Sequence, residues 1–211
     1  MQSIYFVDSN FTYESSKKSI LSIRYATDGF SFCVHDETGK LVVFVHEPYA
    51  ADSREAAVAR LKNYVVNDAI LNLRFKKVYI MPCFKEKLLV PGAFFDKANI
   101  TTLYTVNQEV SPDDTILYHH IEGIEAYLVE TVISSFHDFV REHFPVFQIV
   151  NGAYPFILGA MGKALRDTEQ IFLDIQDNYF DLLFIRDSGI QLFNTFSYKA
   201  TTDIVYFLLN C

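Results

Sequence analysis

Tryptophan is absent from the chain, cysteine is scarce, and lysine and arginine never gather into a run. Each shortage excludes something. Cys33, Cys83 and Cys211 are odd in number, widely spaced and form no CxxC pair, so no disulfide framework is expected. Such usage fits a reducing compartment, and a cytoplasmic location is the expectation. With 18 Lys and Arg against 26 Asp and Glu, the net charge is −8. Lys17-Lys18 and Lys76-Lys77 are isolated pairs, and a chain so charged repels a phosphate backbone, which argues against nucleic acid as a partner. The longest apolar stretch, near Tyr154–Met161, falls far short of the ~20 residues a membrane helix requires, so no membrane insertion is expected. The opening MQSIYFVDSNF lacks a basic region followed by an apolar run, so no signal peptide is expected there.

Familiar catalytic and metal motifs are missing too. His119 and His120 point to opposite faces of a strand, and His137 and His143 fall near opposite sides of a helix, so neither pair shares one ion easily. Gly159-Ala-Met-Gly162-Lys163 resembles the end of a phosphate-binding loop. It lacks the earlier glycine, has Ala164 in place of Ser or Thr, and lies inside an expected helix. Ser134-Ser135 and Ser188-Gly189 have no nucleophile-elbow context.

What is present is a core and a repeated rhythm. Half the residues are hydrophobic, with 20 Phe and 13 Tyr, enough in 211 residues for one large or two small domains. Residues 19–49 spell strand, turn, strand, turn, strand, and residues 170–198 do so again. Asp28 corresponds to Asp177 and Gly39 to Gly189, and a helix start follows each block, at Asp52-Ser53 and at Thr201-Thr202. Two copies of one three-stranded meander imply a duplicated α/β domain. In the first, Leu21, Ile23 and Tyr25 alternate with Ser22 and Arg24, the period of a half-buried strand.

Between the copies the pattern predicts a helix over about 53–73, capped by Asp52 with Glu55 three residues on, and a strand over 76–82 parallel to the first meander strand. Ile4–Val7 suits an extra edge strand. Residues 85–128 break the rhythm and suit an inserted subdomain of short strands, KLLVPGAFF, ITTLYTV and TILYHHIEGIEAYLVE, with a hairpin at Glu122-Gly123. A helix over about 129–143, a strand over 146–150 and a helix over 152–166 follow. Cys33, between Phe32 and Val34, is expected in the core. This order is that of a ribonuclease-H-like half-domain. The expected division is a first half over 1–168, holding the insertion at about 85–128, and the start of a second half over 169–211 that continues beyond Cys211 in the natural protein.

Three stretches carry a family resemblance: Lys87-Leu-Leu-Val-Pro-Gly-Ala-Phe-Phe, Phe144-Pro-Val-Phe-Gln-Ile-Val-Asn, and Phe193-Asn-Thr-Phe-Ser-Tyr-Lys-Ala-Thr-Thr-Asp203-Ile-Val-Tyr-Phe-Leu-Leu. With them the chain resembles the actin-like ATPase superfamily, in its branch of pilus and secretion assembly proteins. More closely it resembles a bacterial domain-of-unknown-function family (DUF3822-like) with that fold. The resemblance implies mixed sheets flanked by helices, duplicated, with the second half incomplete here.

Actin-like ATPases place an Asp near the end of the first strand of each half, followed by glycines that let backbone N–H groups approach phosphates. Here Arg24 stands where the first Asp belongs and Ala26 where a glycine belongs, and a guanidinium cannot ligate Mg²⁺. The second loop keeps Asp174 and Asp181 but replaces its glycines with Gln176, Asp177 and Asn178. A residual Mg-ATP contact through Asp174 and Asp181 is the one cofactor the resemblance leaves open; a salt bridge of Arg24 to Asp174 in place of the metal is another reading. The expected function is a non-catalytic scaffold or regulator that meets an unidentified protein partner through the inserted subdomain, where Phe94, Phe95, Tyr104, Tyr118 and Tyr127 gather near Tyr154 and Phe156. The alternatives are an ATPase with an altered site around Asp174 and an enzyme of unfamiliar chemistry.

Overall fold

A computed structural model describes residues 2–210. In chain order its elements are β1 (Ile4–Val7), α1 (Tyr13–Ser16), β2 (Ile20–Ala26), β3 (Gly29–His35), β4 (Leu41–Pro48), α2 (Arg54–Asn67), β5 (Lys77–Pro82) and β6 (Lys87–Pro91). Then come α3 (Ile100–Asn107), β7 (Asp114–His120), β8 (Ala126–Ile133), α4 (Ser134–His143), β9 (Phe147–Ile149) and α5 (Ala153–Lys163). The second meander, β10 (Glu169–Ile175), β11 (Tyr179–Arg186) and β12 (Gly189–Ser197), leads into α6 (Thr201–Asn210). No helix among the described residues is long and apolar enough to cross a membrane.

The chain divides into two compact units. The first comprises Met1–Phe84, Ser111–Thr115 and Val132–Gly152. Its six-stranded sheet has the order β1-β4-β3-β2-β5-β9, with β2, β3 and β4 antiparallel and β5 parallel to β2. Alternation decides the faces. Leu21, Ile23, Tyr25, Phe30, Phe32, Val34, Val43 and Val45 share one buried face. There Phe30 meets Tyr64 of α2 at 4.4 Å between ring centroids, and Tyr25 meets Phe136 of α4 at 5.0 Å. Cys33 falls on the opposite face with Ser22, Ser31 and Phe44 and is only half-buried, which corrects its expected place in the core.

The second unit comprises Lys85–Val110, Ile116–Thr131 and Ala153–Cys211. It holds two three-stranded sheets, β6-β8-β7 and β10-β11-β12. Val90 and Val129 on one face of the first sheet pack with Ile100 and Tyr104 of α3. On the other face, Leu128 packs with Ala153, Ile157 and Ala160 of α5 and with Leu183 and Ile185 of β11. The far face of β11, Phe180 and Leu182, receives Ile204 and Phe207 of α6.

Three local expectations need correction. The Ser53 hydroxyl, not Asp52, caps α2 by accepting from Ala56 N, and α2 ends at Asn67 because the Asp68 carboxylate takes the N–H groups of Ile70 and Leu71 and turns the chain. ITTLYTV is α3, not a strand. Ile100 and Tyr104, one turn apart, are both buried, and the Tyr104 hydroxyl donates to the Glu86 carbonyl at 3.0 Å, so packing overrides the β-propensity of Thr and Val. The helix expected from 129 begins only at Ser134, because the β-branched run Thr131-Val132-Ile133 prolongs β8.

Candidate functional site

The side chains singled out in the second meander gather in one polar row. In β11, Phe180 and Leu182 face α6, so Asp181 faces the other way. The register sets Asp174 of β10 and Thr195 of β12 directly opposite Asp181, and cross-strand partners share a face. Asp181 is 2% exposed, while Asp174 is half-buried. A matching row crosses the other sheet of the same unit. Lys87 of β6 stands opposite Glu130 of β8, and both are buried.

The rows meet at an ion pair. Lys87 Nζ donates to Asp181 Oδ1 at 2.8 Å, and Thr195 Oγ1 donates to the same oxygen at 2.6 Å. The Lys87 ammonium also lies 4.8 Å from the centre of the Tyr179 ring. His119 Nε2 lies 3.9 Å from Glu130 Oε1 and has no hydrogen-bond partner among the described residues. Burial pushes the Asp181 carboxyl above its ordinary value, against the opposing pull of Lys87 and Thr195. Burial likewise pushes the His119 imidazole below its ordinary value. Chemically the arrangement is an internal ion pair: the Asp181 oxygen that meets Lys87 also accepts from Thr195.

The two loops that the resemblance assigns to phosphate make the following contacts. In the β2–β3 turn, Arg24 reaches Asp28 at 3.4 Å, and the carbonyls of Thr27 and Asp28 accept from Ala51 N and Tyr49 N. Gly29 there has φ +150°, and a Cβ on it would stand 2.7 Å from the Glu47 carbonyl oxygen. That small residue makes room for β4. In the β10–β11 turn, Gln176 N donates to Tyr179 O, and the Tyr198 hydroxyl donates to Gln176 O at 2.6 Å, while Asp177 and Asn178 face solvent. A groove of about 540 Å³ opens beside this turn between Asn178, Tyr198, Lys199, Tyr206 and Phe207. Asp203, also on its wall, caps α6 by accepting from Lys199 N and Ala200 N. Among the described residues no group of three His, Cys, Asp or Glu side chains is placed to hold a metal.

The aromatics of the insertion divide by role. Tyr104 is fully buried, and Phe95 stacks on Tyr127 at 3.7 Å and tilts against Tyr118. Phe94 and Val106 stand exposed. Sequence reasoning missed the roles of Lys87, Glu130 and Thr195. The signal for the first two was a lysine and a glutamate at inward positions of the apolar strands KLLVP and AYLVETVI.

Solved structures share this architecture. A Bacteroides thetaiotaomicron VPI-5482 protein with an actin-like ATPase fold and unknown function is similar over 95% of this chain and 78% of its own, with a TM-score of 0.86 and 23% identity. A chain of the PilM–PilN type IV pilus biogenesis complex is similar over 91% of this chain and 66% of its own, with a TM-score of 0.53 and 12% identity. At such identities the likeness is one of fold, and the fold is that of the actin-like ATPases. Among curated proteins no sequence matches. Residues 8–211 match the family described as Protein of unknown function (DUF3822), and the chain belongs to that family.

Proposed function

We propose that this chain is a non-catalytic protein of actin-like ATPase fold, acting as a scaffold or regulator that binds another protein. One observation carries the reading: Asp181, which the resemblance assigns to a phosphate loop, is buried and gives its Oδ1 to Lys87 and Thr195 inside its own unit. The rest of that loop supports it. Asp177 adds a solvent-facing negative charge beside Asn178, where a phosphate would need donors. The β2–β3 turn supports it from the other copy, with Arg24 engaged by Asp28 and Gly29 accommodating β4. The protein-binding half of the reading rests on Phe94 and Val106, exposed in the inserted segment, and on the fold's occurrence in the PilM–PilN complex.

Thermal unfolding with saturating Mg-ATP, Mg-ADP and Mg-GTP tests the proposal. A ligand at a hundred times its Kd adds about 2.7 kcal/mol to stability, a shift easily read. No shift is the expected result. A saturable rise with Mg-ATP that Asp174→Asn abolishes would overturn it in favour of an ATPase with an altered site around Asp174.

A further inference from the structure

β1 is an edge strand. It pairs with β4, and no other described strand lies along its outer side. Edges are normally blunted by shortness, a lysine, a proline, a bulge or a covering element. The segment Ile-Tyr-Phe-Val is short but holds no lysine or proline, and its pairing with β4 runs without a register shift. Ile4, Tyr5 and Phe6 are 51%, 67% and 46% exposed, so apolar side chains stand out on both faces.

The hydrogen-bond parity of this edge is fixed. Val7 faces Val43, and the next residue, Asp8, donates its N–H to the Val42 carbonyl at 2.8 Å. In an antiparallel ladder, positions bonding to one neighbour alternate with positions bonding to the other. Asp8, Phe6 and Ile4 therefore bond toward β4, and Val7, Tyr5 and Ser3 direct their N–H and C=O groups outward.

We propose that β1 pairs antiparallel with β1 of a second copy of this chain, about a two-fold axis through Tyr5, so that the six-stranded sheet continues across the axis. A second copy suits this edge because its outward-bonding positions, Ser3, Tyr5 and Val7, are centred on Tyr5 and so all find partners in the same three positions of the copy. With Tyr5 opposite its own counterpart, Ile4 faces Phe6, Ser3 faces Val7 and Gln2 faces Asp8. A two-fold contact requires such a match of a surface with itself. No like charges oppose one another in this register, although the chain carries a net charge of −8 that would otherwise set copies apart. The one charge at the end of the strand, Asp8, is already paired with Lys40 at 2.7 Å. Outward groups on Ser3, Tyr5 and Val7 supply about six hydrogen bonds across the axis. A four-residue strand buries less than a permanent dimer does, so the association is a concentration-dependent equilibrium.

Sedimentation velocity of the full chain, between about 1 µM and about 1 mM, tests this. Wild type shifts from monomer to dimer across the range. Tyr5→Pro removes an outward donor and spares the bonds that Ile4 and Phe6 make to β4, so it abolishes the dimer and keeps the thermal midpoint. Phe6→Pro, by the same parity, lowers the midpoint. Tyr5→Lys sets two cations face to face on the axis and weakens the dimer at least about tenfold, which decides the matter if the proline variant fails to fold. A wild type that stays monomeric throughout, including one whose edge serves a different protein, overturns the proposal. So does a dimer that neither Tyr5→Pro nor Tyr5→Lys weakens.

Discussion

Lys87 and Asp181 gave up their hydration together, and their attraction returns only part of it. Such a pair is costly to break and much less costly to replace whole. Lys87→Met leaves the Asp181 carboxyl buried without its cation, and the expected loss is about 3–5 kcal/mol in urea unfolding. Lys87→Met with Asp181→Leu should recover most of that loss in the same measurement. The pH dependence has a definite sign. Burial raises the Asp181 pKa above the ordinary value of 3.8, so the folded chain binds that proton more tightly than the unfolded chain does. Its contribution to stability is therefore present below 3.8 and is lost as pH rises through the folded pKa. Asp181→Asn keeps the shape and removes the titration, so the advantage of wild type over this variant should shrink as pH climbs from about 4 toward neutrality. His119 acts oppositely: its pKa is lowered from 6.5, so its contribution is present above 6.5 and is lost as pH falls through the folded pKa. His119→Phe should flatten the acid limb of the stability profile.

At the scale of elements, sequence pattern showed what depends on neighbours in the chain. Strict alternation in β2 and β3 revealed a strand pair with one buried face, and turn residues at Asp28-Gly29 and Gly39 marked its ends. The same rhythm located β10, β11 and β12. Where the deciding contact lies far away, pattern failed. Ile-Thr-Thr-Leu-Tyr is strand-like by composition, and only burial of Tyr104 with its bond to Glu86 makes it α3. The candidate site divides the same way. Asp174 and Asp181 stood out through the family resemblance, and the register places them opposite one another. Lys87 was not, because nothing near it in the chain signals a partner on β11. Gly29 joins local and distant causes: its turn was legible, but the approach of the Glu47 carbonyl was not. Gly29→Ala forces an L-residue to φ +150° against that oxygen, and a loss of about 1–3 kcal/mol is expected in chemical denaturation. Gly39→Ala, at φ +83° with open space around it, should cost about 1 kcal/mol.

For the whole molecule, ancestry and packing divide the chain differently in kind. The repeat of meander and helix, beginning at Ile20 and again at Glu169, expresses duplication. The compact units express packing, and each is assembled from three separated stretches. Each unit therefore forms its core only when stretches far apart in the chain come together. Each unit nevertheless has interior contacts of its own. The first buries Leu21, Ile23, Phe32 and Val45 under α2 and α4. The second buries Leu128, Ile157, Leu183 and Ile185, beside the Lys87–Asp181 pair. A defect at Lys87 should therefore weaken one interior and spare the other. Native-state hydrogen exchange checks this, because it reports opening amide by amide. In Lys87→Met, amides of β6, β8 and β11 should exchange faster, by about tenfold for each 1.4 kcal/mol lost, while those of β2, β3 and β5 keep their wild-type rates. Equal acceleration everywhere would mean that the chain opens as a single body and that the two interiors do not act independently.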